Sequence, residues 1–177
     1  AAEREIIEEA YAGDIIGVFD PGIFSIGDTL CAPGKKFRFD PIPTFAPEHF
    51  KRVRSLDTMK RKQFLKGMEQ IAQEGAIQIF KTPYTGMEEV IVGVVGTLQF
   101  DVLEYRLKNE YNVELYMEGL PYEYLRWIET DDGEPVKEED LILGTDVKLV
   151  EDYKGNQLLL FGSQWAIGWT EERNKNL

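Results

Sequence analysis

The chain has 177 residues, of which 43% are hydrophobic and 29% are charged, and its formal net charge at pH 7 is -12. These values are typical of a globular chain that can build a core, and the charge argues against a protein that binds nucleic acid over its whole surface. The single cysteine, Cys31, excludes a disulfide framework, and no apolar run approaches the roughly 20 residues of a membrane helix. We expect a cytoplasmic protein.

Residues 1–34 are predicted to form short strands. Strand-sized apolar runs such as AGDIIGV (Ala12–Val18) are separated by Gly, Pro and Asp at intervals of about 8–12 residues, which is typical of antiparallel β-structure. Three short strands cannot bury both of their faces alone. The segment is therefore predicted to be an addition to the next domain or the edge of an incomplete one, with Cys31–Gly34 as the linker.

The next stretch begins a new unit. The alternation in KKFRF (35–39) predicts a strand. From Asp57 the period changes, because apolar residues from Phe64 to Ala72 recur on one helix face, and Gly75 is predicted to end that helix. AIQIFK (76–81) is predicted to be the second strand.

Residues 89–118 predict a strand, a helix and a second strand. The run EVIVGVV suits a buried strand, Thr97 is the predicted N-cap, and Asn112 is the predicted end of the helix. The helix carries two apolar stripes, so we expect it to be covered on more than one side. The order from Lys36 to Glu118 is then β-α-β-β-α-β, which is that of a ferredoxin-like α+β sandwich.

Residues 119–177 are predicted to extend this core. YEYLRWIE (122–129) alternates as a fifth strand would, whereas 129–140 holds seven acidic residues in twelve and predicts a solvated loop or a frayed helix. VKLVEDYKGNQLLLF (147–161) predicts a hairpin that turns at Lys154-Gly155-Asn156, and 165–174 predicts a short terminal helix.

A run of basic residues is the main asymmetry of charge. Seven of the chain's 20 basic residues lie within 16 positions. In an acidic chain such a run predicts a local positive face that binds RNA phosphates, and the alternative is an ordinary solvated helix surface. The seven residues are Lys51, Arg52, Arg54, Lys60, Arg61, Lys62 and Lys66.

No other residue pattern predicts a chemical site. His49, the only histidine, lies in a proline-flanked segment without a nucleophile signature, and Cys31 has no basic neighbour before Lys35. The GVVG run at 93–96 precedes a helix, but without a nearby lysine it favours packing over phosphate binding.

The acidic run and the tryptophans are likewise predicted to be structural. The acidic run lacks the spacing of a calcium loop. Trp127, Trp165 and Trp169 are predicted to be core or interface residues. By residue chemistry the chain is a binding module, with no catalytic, cofactor or metal site.

Several strings resemble translational GTPases. AGDIIGV followed by IGDTL (Ile26–Leu30) is similar to their β-barrel second domain. FRFDPIPTFAPEHFKRVR, KRKQFLKGMEQIAQEGAIQIF and VGVVGTLQFDVLEYRLKNEYNVE resemble the third domain of bacterial class II peptide chain release factors. The related domain of elongation factor G usually has G-E-L-H-L-E where this chain has GTLQFD (Gly96–Asp101). The resemblance extends over essentially the whole chain.

The resemblance implies a C-terminal fragment of a GTPase that removes class I release factors from the ribosome after termination. Residues 1–34 would be the last strands of the barrel domain. Residues 35–177 would be the third domain, with a ferredoxin-like core at about 36–118 and an extension at 119–177. The family's GTP site lies in an N-terminal domain with a P-loop, which is absent here. We therefore expect no enzyme activity in this chain, and GTP and Mg only in the intact protein.

The implied partners are the ribosome on its small-subunit side, class I release factors and the GTPase domain of the same chain, without DNA or membrane. The seven basic residues are the candidates for ribosome contact. Three alternatives stay open: a free-standing metabolite-binding or regulatory domain with an apolar pocket, an enzyme with paired carboxylates in a cleft, and a fragment of another ribosomal GTPase.

Overall fold

The computed structural model describes residues 5–42, 44–83 and 89–175. The chain divides into two compact units, Ala1–Phe39 and Asp40–Leu177. In the first unit the described residues form turns and no strand, although the sequence predicts strands over 1–34, whose first four residues lie outside the described part. A strand forms only when its backbone groups can hydrogen-bond to a neighbouring strand. Apolar side chains of this unit, such as Ile15, are exposed and not packed in a core. The assignment of 1–34 to a barrel domain stays a prediction.

The second unit contains the predicted ferredoxin-like sandwich. It is built from β1 His49–Ser55, α1 Arg61–Gln73, β2 Gln78–Phe80, β3 Glu89–Val94, α2 Leu98–Tyr111 and β4 Leu115–Leu120. The strands lie in the order β2-β3-β1-β4 and every neighbouring pair is antiparallel. Both helices pack against one face of this first sheet. The predicted β-α-β-β-α-β order and the α+β class are confirmed.

The first strand does not lie where the sequence predicts it. KKFRF (35–39) is not a strand, and β1 is His49–Ser55, a segment for which the sequence predicts no strand. β1 is a central strand buried on both faces, because Val53 packs under the helices and Phe50 packs on the opposite side. Each face carries few apolar residues, so β1 lacks the alternation of a strand that is buried on one side only.

The two helices form one packed layer. Its buried side chains include Phe64, Met68, Ile71, Phe100, Leu103 and Leu107. Gly67 lies at the contact between the helices: a Cβ there would be 2.7 Å from Leu107 Cδ1 and 3.0 Å from the ring of Tyr111. Glycine at this position therefore permits the close approach of α1 and α2.

The prediction that α2 is covered on more than one side is wrong. Its second apolar stripe is exposed, with Leu98 70%, Val102 45% and Tyr105 69% accessible. The sheet lies under α2 and α1 lies beside it, so only the stripe with Leu103 is covered. An outer-layer helix buries one stripe, and apolar spacing alone does not show how many neighbours it has.

The helix ends differ in part from those predicted. Asp57 Oδ1 accepts a hydrogen bond from Met59 N at 2.9 Å, so Asp57 caps the short 3-10 turn before α1. Thr97 makes no side-chain cap. Gln99 replaces it, because Gln99 Oε1 accepts from Val95 N at 3.1 Å and from Gly96 N at 3.3 Å. Asn112 ends α2 in the left-handed region, with φ 55°, as predicted.

A second sheet accounts for the extension. Its strands are β5 Tyr124–Trp127, β6 Val147–Glu151 and β7 Gln157–Phe161, in the order β5-β7-β6. The predicted fifth strand therefore exists but belongs to this sheet. The predicted hairpin of β6 and β7 and the terminal helix, α3 Gln164–Arg173, are confirmed.

The sheets and helices of the second unit form four layers. Phe50, Phe80 and Ile91 of the first sheet pack against Leu158 and Leu160 of the second. The other side of the second sheet packs against α3. No helix among the described residues is long and apolar enough to cross a membrane.

An ion-pair network fixes α2 to the end of α1. The guanidinium of Arg106 donates to both carboxylate oxygens of Glu74, and its Nε donates to Glu110 Oε1 at 2.9 Å. The hydrogen bond from Arg106 holds the pKa of Glu74 below its usual range. Both partners are partly exposed, so this network orients the helices more than it stabilises the fold.

Candidate nucleic-acid interface

The outward face of α1 presents two predicted contact residues side by side. Lys62 and Lys66 are one helical turn apart, are both exposed, and lie opposite the buried Phe64 and Ile71. Among the described residues, neither lysine has a carboxylate within ion-pair distance. Their ammonium groups are therefore available to an anion. We call Lys62 and Lys66 the α1 lysine pair.

The three basic residues of β1 are divided between the two faces of the sheet. Lys51 Nζ lies 4.8 Å from the ring centre of Phe100, on the helix side. Arg52 points to the other side, because successive strand residues alternate, and it pairs with Glu89 at 2.8 Å and Glu118 at 3.2 Å. Arg54 follows Arg52 on that face and stacks on Tyr116 at 4.6 Å. These three residues do not form one surface with the α1 lysine pair.

Lys60 and Arg61 lie where the 3-10 turn meets α1. Lys60 Nζ donates to the carbonyl oxygen of Asn112 at 2.7 Å and thereby satisfies the C-terminal end of α2. Arg61 is the exposed first residue of α1. Of the seven predicted residues, the structure brings together Arg61, Lys62 and Lys66 along one helix, and it gives Lys60 and Arg52 structural partners. Their role in ribosome contact stays a prediction.

The acidic residues are concentrated at another part of the unit. The run 129–140 is an exposed loop with a short 3-10 turn at Glu138–Asp140, as the sequence predicts. It connects β5 to β6 in the second sheet, whereas the α1 lysine pair lies on the helix layer of the first. The densest acidic run therefore lies on a different layer from the α1 lysine pair, and the one acidic residue within α1 is Glu69, one turn from Lys66.

A wide cleft of about 820 Å³ lies beside the start of β1. Its lining includes His49, Lys51, Phe100, Tyr122 and Arg126. Two of its basic groups are already engaged, because Lys51 Nζ lies over the Phe100 ring and an Nη of Arg126 donates to the carbonyl oxygen of Leu125. Among the described residues no buried side-chain nitrogen or oxygen lacks a hydrogen-bond partner. Within the part of the chain that the structure describes, the cleft therefore offers no unpaired buried polar group, and the metabolite-binding alternative stays a prediction.

The other candidate chemical groups have structural partners. Val95 and Gly96 donate their backbone N–H groups to Gln99, so the turn before α2 is already satisfied. A Cβ at Gly93 would lie 2.9 Å from Pro47, which explains this glycine by packing. Within residues 5–42, 44–83 and 89–175, no three His, Cys, Asp or Glu side chains are placed to hold a metal ion.

The tryptophans of α3 are the feature that the sequence did not place. The sequence predicts core or interface positions for the tryptophans. Trp165 of α3 is 72% exposed and Trp127 of β5 is 58% exposed, so neither is a core residue, and the interface alternative stays a prediction. The available signal was the spacing of Trp165 and Trp169 by one helical turn, with Gly168 between them on the outward side. That pattern indicates an outward aromatic stripe.

Comparisons with a family model and with known proteins point to the same family. Residues 39–171 match the family described as "Class II release factor RF3, C-terminal domain". Over 177 residues the chain is 49% identical to a protein of Symbiobacterium thermophilum named "Peptide chain release factor 3", covering 100% of this chain and 33% of that protein. Proteins of the same name from Gloeobacter violaceus (43% identity, 99% and 32% covered) and Staphylococcus saprophyticus (44%, 98% and 32%) are also similar. The chain spans about a third of the length of these relatives.

Proposed function

The chain belongs to the class II release factor RF3 family as its C-terminal domain, and from this premise we propose that it is the ribosome-contacting, non-catalytic module of a GTP-dependent release factor. The intact protein would bind GTP and Mg through a domain outside this chain and would act in the cytoplasm. It would promote the dissociation of class I release factors from the ribosome in translation termination. Residues 1–34 would complete the barrel domain with strands from the rest of the protein.

The observation that carries the proposal is the α1 lysine pair. Lys62 and Lys66 stand on a helix whose opposite face is fixed in the core by Phe64, Met68 and Ile71. Because the helix is packed in place, the Cβ atoms of the two lysines stay about 5–6 Å apart, and their flexible side chains can reach neighbouring RNA phosphates. Ribosomal RNA on the small-subunit side is the proposed partner of this surface.

The fold supports a mechanical role for the module. The two helices, the two sheets and α3 are joined by continuous buried clusters. A body packed in this way transmits displacement at one surface to another without deforming. The proposed role is therefore to couple the ribosome contact at α1 to the GTPase domain of the same protein. No residue of this chain is assigned to catalysis.

Reversing the charge of the α1 lysine pair tests the proposal. We expect the variant Lys62→Glu with Lys66→Glu to bind small ribosomal subunits about tenfold more weakly or worse, because two phosphate contacts become repulsive. The slope of log affinity against log salt concentration should fall by about 2. Binding is measured by sedimentation over a series of salt concentrations.

The matched control reverses two lysines elsewhere. Lys36 and Lys154 are exposed and belong neither to the helix layer of the first sheet nor to α3. Lys36→Glu with Lys154→Glu changes the net charge by the same amount and should leave the salt slope unchanged. Equal effects of the two double variants would show that only total charge matters, and the proposed contact would then be withdrawn.

A further inference from the structure

The outward side of α3 carries a stack of aromatic and cationic side chains. The rings of Trp165 and Trp169 are 6.5 Å apart, and the guanidinium of Arg173 lies 4.0 Å from the ring centre of Trp169. The three residues follow one another at intervals of one helical turn. Trp165 at the open end of the stack is 72% exposed. Trp and Arg are the residues most enriched at the energetic centres of protein interfaces.

Gly168 is a second, independent feature of the same side. A glycine inside a helix is unfavourable relative to alanine, and a Cβ at Gly168 would meet no atom within 4 Å. Packing within the chain therefore does not explain it, in contrast to Gly67, where a Cβ would be 2.7 Å from Leu107. A gap beside an exposed tryptophan allows the backbone of another molecule to approach the helix closely. We call Trp165, Gly168 and Trp169 the α3 face.

The charges around the α3 face select the partner. Glu171 and Glu172 are exposed on α3. Two hydrogen bonds of 2.9 Å between Asn174 and Ile142 hold the acidic 3-10 turn Glu138–Asp140 near the end of the helix. The five carboxylates of this region outnumber its three basic groups, Lys137, Arg173 and Lys175. The remaining negative charge favours lysine and arginine side chains over phosphates, and these side chains also interact favourably with tryptophan rings.

We propose that the α3 face is a docking site for a Lys/Arg-rich protein segment. Trp165 supplies apolar area and a ring face for a cation, Gly168 admits the partner's backbone, and the carboxylates complement its charge. The proposal rests on the proposed ribosome contact, and the partner to which we commit is a basic protein of the small ribosomal subunit. The α3 face and the α1 lysine pair would thus contact protein and RNA, respectively.

Photo-crosslinking identifies the partner directly. A benzophenone amino acid replaces the exposed Gln164 next to Trp165, and the full chain is irradiated with intact small subunits and, separately, with the RNA-free proteins extracted from them. We expect crosslinks to a Lys/Arg-rich protein segment in both mixtures. Crosslinks to ribosomal RNA, to a second copy of the chain or to no molecule in either mixture would overturn the proposal.

Two substitutions separate docking from folding. Trp165→Ala should lower the crosslink yield about tenfold, because an exposed hot-spot side chain is lost. Gly168→Ala should raise the Tm by about 2 °C, since helix propensity improves, yet it should lower the yield by filling the gap. A Gly168→Ala chain with a raised Tm and an unchanged yield would contradict the proposal.

The two mixtures distinguish this inference from the proposed function. If the α1 lysine pair does not bind RNA, the Lys62→Glu and Lys66→Glu chain binds intact subunits as the unmodified chain does. Crosslinking to the RNA-free proteins does not depend on that contact. Crosslinks that persist there and disappear with Trp165→Ala support the α3 face whatever the outcome at α1.

Discussion

Replacing Leu103 with Ala is expected to lower the free energy of unfolding by about 2–5 kcal/mol. Leu103 is fully buried in the helix layer, where it packs in one cluster with Phe64, Met68 and Leu107. Removing its branched end leaves a cavity in a layer that the sheet and α1 hold in place, so the surroundings cannot collapse fully around the shortened side chain.

The neighbouring residue provides the matched control. Val102 is 45% exposed, so Val102→Ala is expected to change the free energy of unfolding by less than about 0.5 kcal/mol. Both variants are compared with the unmodified chain by urea denaturation, followed by circular dichroism at the helix band. Equal destabilisation by both substitutions would show that the Val102 stripe is also buried and would contradict the described orientation of α2.

Replacing Leu160 with Ala is expected to destabilise both sheets together, by about 2–5 kcal/mol. Leu160 is fully buried on β7, in the cluster that contains Phe50, Phe80 and Ile91 of the first sheet. A cavity there weakens the contact between the sheets as well as the second sheet itself. The extension is thus expected to unfold as part of the same cooperative unit.

Two optical signals follow the two parts of the unit separately. All three tryptophans, Trp127, Trp165 and Trp169, belong to the second sheet and α3, so their fluorescence reports the extension. The helix band of circular dichroism is dominated by α1 and α2. In the Leu160→Ala chain we predict that the fluorescence and circular dichroism transitions occur at the same urea concentration. Lys154→Ala, at the exposed hairpin turn, is the control and is expected to leave the free energy of unfolding nearly unchanged. A fluorescence transition at lower urea than the helix transition would show that the extension folds independently.

The elements that the sequence located well carry either one clear apolar stripe, as in α1, or an uninterrupted apolar run, as in β3. α1 has a clean stripe from Phe64 to Ile71 because solvent lies on its other side. β1 was missed because both of its faces are buried and its basic residues interrupt the pattern. The strand at Tyr124–Trp127 was found but assigned to the wrong sheet. Alternation identifies a strand, whereas its neighbour is decided by contacts that are distant in sequence.

The basic run shows the same limit for the candidate site. The seven basic residues were expected to share one face because they are close in sequence. Side chains alternate along a strand, however, so Lys51 and Arg52 point to opposite sides of the sheet. Arg52 pairs with Glu118, which lies on β4 and is 66 residues away in the sequence. Only Lys62 and Lys66 could be placed together from the sequence, because their spacing is one helical turn.

Directed cleavage of RNA from α1 tests the central claim most directly. Cys31, the single cysteine of the chain, is exposed, so a Cys31→Ser chain provides an unreactive background. In this background Gln63→Cys, at an exposed position next to Lys62 on α1, is labelled with a chelated iron that generates hydroxyl radicals, and the labelled chain is bound to small ribosomal subunits. We predict cleavage of the small-subunit RNA near the label and none with the unlabelled Cys31→Ser chain. Intact RNA around a chain that sediments with the subunit would contradict the claim that α1 lies against ribosomal RNA.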